Sequence, residues 1–78
     1  MITIKLFARL REICGKSEVD LPHSETLAGV LEQIKRELPE LSGWIEKGKV
    51  LISVNQEMAD PQKPIRDGDE IGLMPPFS

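Results

Sequence analysis

The 78-residue chain has one cysteine and one histidine. Cys14 has no partner with which to close a disulfide or share a structural zinc, a usage that fits a reduced, cytoplasmic protein. His23 is the only imidazole, and it stands between Pro22 and Ser24 in a segment that reads as surface loop, with no nucleophile for it to activate. No apolar run approaches the ~18 residues of a membrane span, and no basic leader followed by an apolar stretch opens the chain. The six glycines are scattered, and none opens the long helical segment as a phosphate cradle requires. A net charge of -3, from 10 basic and 13 acidic groups, argues against nucleic acid or an anionic membrane and favours a basic partner. The length excludes a two-domain enzyme; a chain this short buries only about 60% of its unfolded surface, so one compact core must hold it.

The pattern that remains is strongly periodic. Ile2, Ile4 and Leu6 alternate with Thr3 and Lys5, the signature of a strand with one face on a core. Residues 8–14 change to helical spacing, with Leu10, Ile13 and Cys14 on one side and Gly15 suited to a left-handed stop. Residues 17–21 alternate again and are expected to pair antiparallel to the first strand. Leu27, Val30, Leu31, Ile34 and Leu38 recur at intervals of three and four, which predicts the main helix; Ser24 or Thr26 can cap it and Pro39 forbids its continuation. Gly29, inside that helix, is expected to mark close packing on a sheet. An irregular stretch follows in which Leu41, Trp44 and Ile45 close the bottom of the core. Residues 50–54, almost continuously apolar, read as a central strand covered on more than one side. Asn55-Gln56 marks a tight turn, residues 57–59 a brief return strand, Asp67-Gly68-Asp69 another turn, and residues 70–74 the last strand.

The order strand, short helix, strand, long helix, strand, short strand, strand is an α+β pattern. With the long helix as a crossover, the first and last strands become parallel central neighbours in a mixed sheet of four to five strands, with the helix on one face. That is the ubiquitin-like β-grasp architecture, expected over residues 1–74. Pro75 and Pro76 cannot extend a ladder, so residues 75–78 read as an extended carboxyl tail with a stiff root and with Phe77 and Ser78 projecting from the sheet.

No catalytic set is legible. Cys14 lies on the apolar side of a short helix, where a thiol behaves as a small hydrophobe. Asp60, Asp67, Asp69 and Glu70 are spaced for a solvated turn and do not match a calcium loop, so no metal is expected. Surfaces and the tail are left to carry the function. The run Asp-Gly-Asp-Glu-Ile-Gly-Leu-Met-Pro-Pro-Phe-Ser over 67–78, with Val54-Asn55-Gln56 before it and Phe7-Ala8-x-x-Arg11-Glu12 near the start, closely resembles molybdopterin synthase small subunits, which are β-grasp sulfur carriers.

The resemblance implies a non-catalytic subunit that delivers thiocarboxylate sulfur from its tail to a pterin precursor in molybdenum cofactor biosynthesis. It implies two partners, the molybdopterin synthase large subunit in a heterotetramer and an adenylating activating enzyme that uses ATP. The small chain itself binds no cofactor. By the same resemblance Phe7, Met58 and Met74 line the apolar contact with these partners, and Arg11 pairs with an acidic partner residue; Phe7 reads equally well as core. Family members end in two glycines placed two residues after the Pro-Pro, and the terminal carboxylate is the reacting group. The sequence here stops at Ser78, so the tail residues are Pro75, Pro76, Phe77 and Ser78, and a following Gly-Gly in the natural protein is the expectation. The alternatives are a β-grasp interaction module without terminal chemistry and a carrier for another sulfur pathway, such as thiazole synthesis.

Overall fold

The computed structural model describes residues 1–76. Strand β1, Ile2–Leu6, buries Ile2, Ile4 and Leu6 and turns Thr3 and Lys5 to the other face, as its alternation requires. Left-handed Ala8 (φ 51) turns the chain out of the strand, and helix α1, Ala8–Cys14, follows. Gly15 (φ 70) stops that helix, its amide donating to the Arg11 carbonyl at 2.9 Å. Strand β2, Glu18–Leu21, returns antiparallel to β1.

Helix α2, Leu27–Glu37, starts at Thr26, whose hydroxyl accepts the Gly29 amide at 3.3 Å. The Leu27 and Ala28 amides donate to the carbonyls of Lys63 and Pro61, both at 2.9 Å. The loop over residues 61–63 therefore satisfies the first two amides of the helix. A 3₁₀ turn, Pro39–Leu41, and helix α3, Ser42–Glu46, occupy the stretch expected to be irregular; Pro39 presets φ for the first turn and Leu41 is fully buried.

Strands β3, Leu51–Val54, and β4, Glu57–Met58, form a hairpin around Asn55 and Gln56, and β5, Glu70–Met74, closes the sheet. The sheet order is β2-β1-β5-β3-β4, parallel only between β1 and β5. With α2 as the crossover, this is the ubiquitin-like β-grasp fold, α+β, as the periodicity predicts. Ile2, Ile4, Leu6, Ile71 and Leu73 from the central strands meet Leu10, Leu27, Val30, Ile34 and Leu41 from the helical layer in one core.

Two local expectations are corrected. Strand β3 is not central and is not covered on both sides: it lies second from the edge and leaves Leu51 38% exposed, because the helical layer covers only one face of the sheet. Gly29 faces Ser24 instead of the sheet, and a Cβ there would stand 3.2 Å from the Ser24 Cβ. The loop that brings Ser24 so close is held by Gln33, whose amide nitrogen donates to Ser24 Oγ at 2.6 Å and to the Pro22 carbonyl at 2.8 Å.

Candidate functional site

Strand alternation divides β5 between two environments. Ile71 and Leu73 point into the core, whereas Glu70, Gly72 and Met74 face away from the helices. Register places Gly72 between Lys5 on β1 and Ser53 on β3, and Ser53 opposite Met58 on β4, so one row crosses four strands on this open face. Met74 lies opposite Leu51 in the next row. The result is a shallow hollow of about 400 Å³ lined by Phe7, Met58, Met74, Ser53, Gly72 and Gln56, with Lys5 and Glu70 at its side. Lys5 Nζ and Glu70 Oε2 approach to 3.5 Å, an exposed pair of small energetic weight.

Three of the residues singled out in the sequence, Phe7, Met58 and Met74, thus come together. Phe7 is 42% exposed and Met58 65% exposed, so neither belongs to the core. The Phe7 ring lies over Gly72: a Cβ there would be 3.4 Å from Phe7 Cε2 and 2.5 Å from Ser53 Oγ. A Cβ at position 72 would touch the ring and push the hydroxyl aside. Arg11, by contrast, is exposed on α1 and lines neither this hollow nor the groove on the other side of the tail root.

That groove, of about 670 Å³, is walled by Ala8 and Arg9 of α1, Trp44 of α3, Lys49, Pro75 and Pro76. Pro75 is buried and Pro76 exposed; Phe77 and Ser78, the rest of the tail read from the sequence, lie outside the described residues. The open-face hollow and the groove therefore flank the point where the chain leaves β5. Sequence reasoning missed Gly72, Ser53 and Leu51 on the open face, although the parity of Gly72 with Met74 was a usable signal. It assigned Trp44 to core closure alone, whereas Trp44 is half-buried, touching the core and walling the groove.

The remaining chemistry-bearing side chains are spoken for. Burial raises the Cys14 thiol above its ordinary value and Glu40 adds to the effect, while Lys16 opposes both, so the thiolate is disfavoured. His23 Nε2 lies 2.6 Å from the Ile65 carbonyl, a bond in which the nitrogen donates. Asp69 accepts from the Arg66 amide at 2.8 Å and from Asn55 Nδ2 at 3.0 Å, which holds its carboxyl below the usual aspartate value and ties the turn before β5 to the β3–β4 hairpin. Among the described residues no group of three or more His, Cys, Asp or Glu side chains stands together as metal ligands, and no helix is long and apolar enough to cross a membrane.

The comparisons with known proteins extend along the whole chain. The molybdopterin synthase sulfur carrier subunit of Haemophilus influenzae is 30% identical over 79 residues, covering 100% of this chain and 98% of its own length. The protein of the same name from Dictyostelium discoideum is 35% identical over 80 residues, covering 96% of this chain and 91% of its own. The solution structure of small archaeal modifier protein 1 from Methanosarcina acetivorans matches with a TM-score of 0.84 at 30% identity, over 99% of this chain and 93% of that one. The profile of the ThiS family matches residues 4–78, from the first strand through the tail, and with the β-grasp topology already in place the chain belongs to the ThiS family.

Proposed function

We propose that this protein is the sulfur carrier subunit of molybdopterin synthase and that its working part is the tail rooted at Pro75 and Pro76. The observation that carries the reading is the gathering of Phe7, Met58 and Met74 around one open-face hollow, with Lys5 and Glu70 at its side, directly beside that root. The names of the curated relatives, similar over their full lengths, support it. A carboxylate that must enter another protein's cavity needs a narrow, extended leader, and an apolar surface beside it supplies the binding energy that holds the leader there.

In this reading the protein catalyses nothing itself. The activating enzyme uses ATP to adenylate the terminal glycine carboxylate, releasing pyrophosphate, and a sulfur donor then displaces AMP to leave a thiocarboxylate. The large subunit, two copies with two of this chain, receives the tail and passes its sulfur to the pterin precursor. Arg11, outside both hollows, is assigned to a separate contact with an acidic residue of a partner.

The test is intact mass after incubation with ATP, activating enzyme and a sulfur donor, on the chain with Gly-Gly following Ser78 and, in parallel, on the chain ending at Ser78. The Gly-Gly form is expected to gain the mass of one sulfur-for-oxygen exchange, to lose it again when large subunit and pterin precursor are added, and to co-elute with the large subunit. The Ser78 form is expected to gain nothing. A Gly-Gly form that stays at its starting mass reduces the protein to a β-grasp interaction module. A form that gains sulfur but delivers it only to a thiazole-forming acceptor moves it to another pathway. A second reading, as a protein modifier, has the name of the Methanosarcina relative in its favour; it predicts covalent conjugates with other proteins under the same conditions.

A further inference from the structure

We infer that the Ser53 hydroxyl is the specificity-determining group of the open-face hollow and receives the uncharged polar tip of a tyrosine of the large subunit. The inference rests on the carrier reading and names the chemistry that its docking surface recognises. Ser53 is the one polar residue among the buried side chains of the described residues, 8% exposed, and it lines the hollow. Its hydroxyl takes part in none of the side-chain hydrogen bonds formed among those residues. Yet no buried side-chain nitrogen or oxygen there is sealed from outside without a partner. The unpartnered hydroxyl is therefore reached through the hollow.

Its neighbours decide what can reach it. Register sets Ser53 between Gly72 of β5 and Met58 of β4. The point that a Cβ of residue 72 would occupy is 2.5 Å from Ser53 Oγ and 3.4 Å from Phe7 Cε2, so the hydroxyl lies over the glycine with the ring beside it. Met58 and Met74 complete the apolar surroundings, and Lys5 and Glu70 at the side pair with each other at 3.5 Å. A partner that covers the hollow with an apolar group alone strips water from the hydroxyl and leaves it unbonded, which opposes binding. A charged tip is opposed as well, because a hydroxyl does not neutralise it and the Lys5–Glu70 pair is already balanced. The fitting occupant has a flat apolar body, which packs on the Phe7 ring and the methionine thioethers, and ends in a neutral group. A phenol meets both demands, and its O–H donates or accepts as Ser53 requires. Such a site rejects a side chain without the hydroxyl more strongly than a purely apolar pocket rejects one that lacks a methylene.

The experiment is calorimetry of the large subunit with the parent, Ser53→Ala and Met58→Ser, repeated with single tyrosine-to-phenylalanine variants of the large subunit. Ser53→Ala is expected to weaken binding about tenfold while leaving the urea midpoint of the free protein in place, since the hydroxyl bonds to nothing within the chain. One tyrosine-to-phenylalanine change should weaken the parent by a similar factor and cost nothing further against Ser53→Ala, because both remove the same bond. An apolar cover predicts the opposite sign for Ser53→Ala. Binding by Ser53→Ala at the parental affinity or tighter overturns the inference, as does a tyrosine series in which no member is coupled to Ser53. If Ser53→Ala does not fold, the series on the parent decides by itself, and undiminished affinity in every member overturns the inference. A parent that does not bind the large subunit removes the carrier reading and this role with it. Binding that Met58→Ser weakens and Ser53→Ala leaves unchanged removes the role of Ser53 alone.

Discussion

Gly72 and Ser53 face each other across the β3–β5 ladder so closely that a Cβ on residue 72 would stand 2.5 Å from the Ser53 hydroxyl oxygen. A real Cβ does not approach an oxygen to that distance, so Gly72→Ala must displace the Ser53 hydroxyl or the strand itself. Destabilisation by about 1–3 kcal/mol is expected, read from urea midpoints. Removing the hydroxyl relieves it, because the Ser53 Cβ is an ordinary 3.9 Å away. Gly72→Ala combined with Ser53→Ala should therefore recover most of the loss, and no recovery would show that the strain lies elsewhere.

Met58 is 65% exposed, so trimming it removes little core packing. Met58→Ser is expected to change stability by less than about 0.5 kcal/mol yet weaken binding to the large subunit by roughly tenfold, measured by calorimetry. Unchanged affinity would take the open-face hollow out of the docking surface.

Among the described residues three that are not glycine have positive φ: Ala8 at 51°, Asn55 at 51° and Gln56 at 71°. Asn tolerates the left-handed region, and Asn55 also accepts the Glu70 amide at 3.0 Å. Ala8 and Gln56 have no such compensation. Glycine should be better than the native residue at both, by about 0.5–1 kcal/mol for Gln56→Gly, which makes the Asn-Gly pair favoured in two-residue hairpins, and by a similar amount for Ala8→Gly. Asn55→Ala should lose about 1–2 kcal/mol. Thermal melts of the three variants check the ordering.

Asp69 titrates with folding. The Arg66 amide first, then the Asn55 amide group, stabilise its carboxylate and lower its pKa below the ordinary 3.8. A depressed native value means that the contribution is fully present above the unfolded pKa and is lost as pH falls from there through the native value. Stability of the parent should therefore drop on acidification below about pH 4, and Asp69→Asn should drop less steeply while being less stable at neutral pH. Parallel curves for the two proteins would count against the assignment.

Local rules carry a long way in this chain. Alternation in β1, the three-and-four spacing of α2, a cap at Ser24 or Thr26, the stop at Gly15 and the turn at Asn55-Gln56 were all legible, because each depends on residues within one strand, one helical turn or one hairpin. The turn at Asp67-Gly68-Asp69 was legible too; that Asp69 reaches across to Asn55 was not. The motif at the carboxyl end pointed to the family, since order and spacing along the chain are themselves sequence properties.

What the amino-acid order alone determined is therefore the main strands and helices, the faces that β1 and α2 bury and the proline root of the tail. Tertiary structure decided which exposed residues meet: Phe7 over Gly72, Met58 in the row with Ser53, Trp44 across the groove from Pro75, and Gly29 against Ser24 instead of the sheet. Those neighbours are set by strand register and by how the helical layer settles on the sheet, a sum of many weak contacts between distant segments that no local window of residues contains.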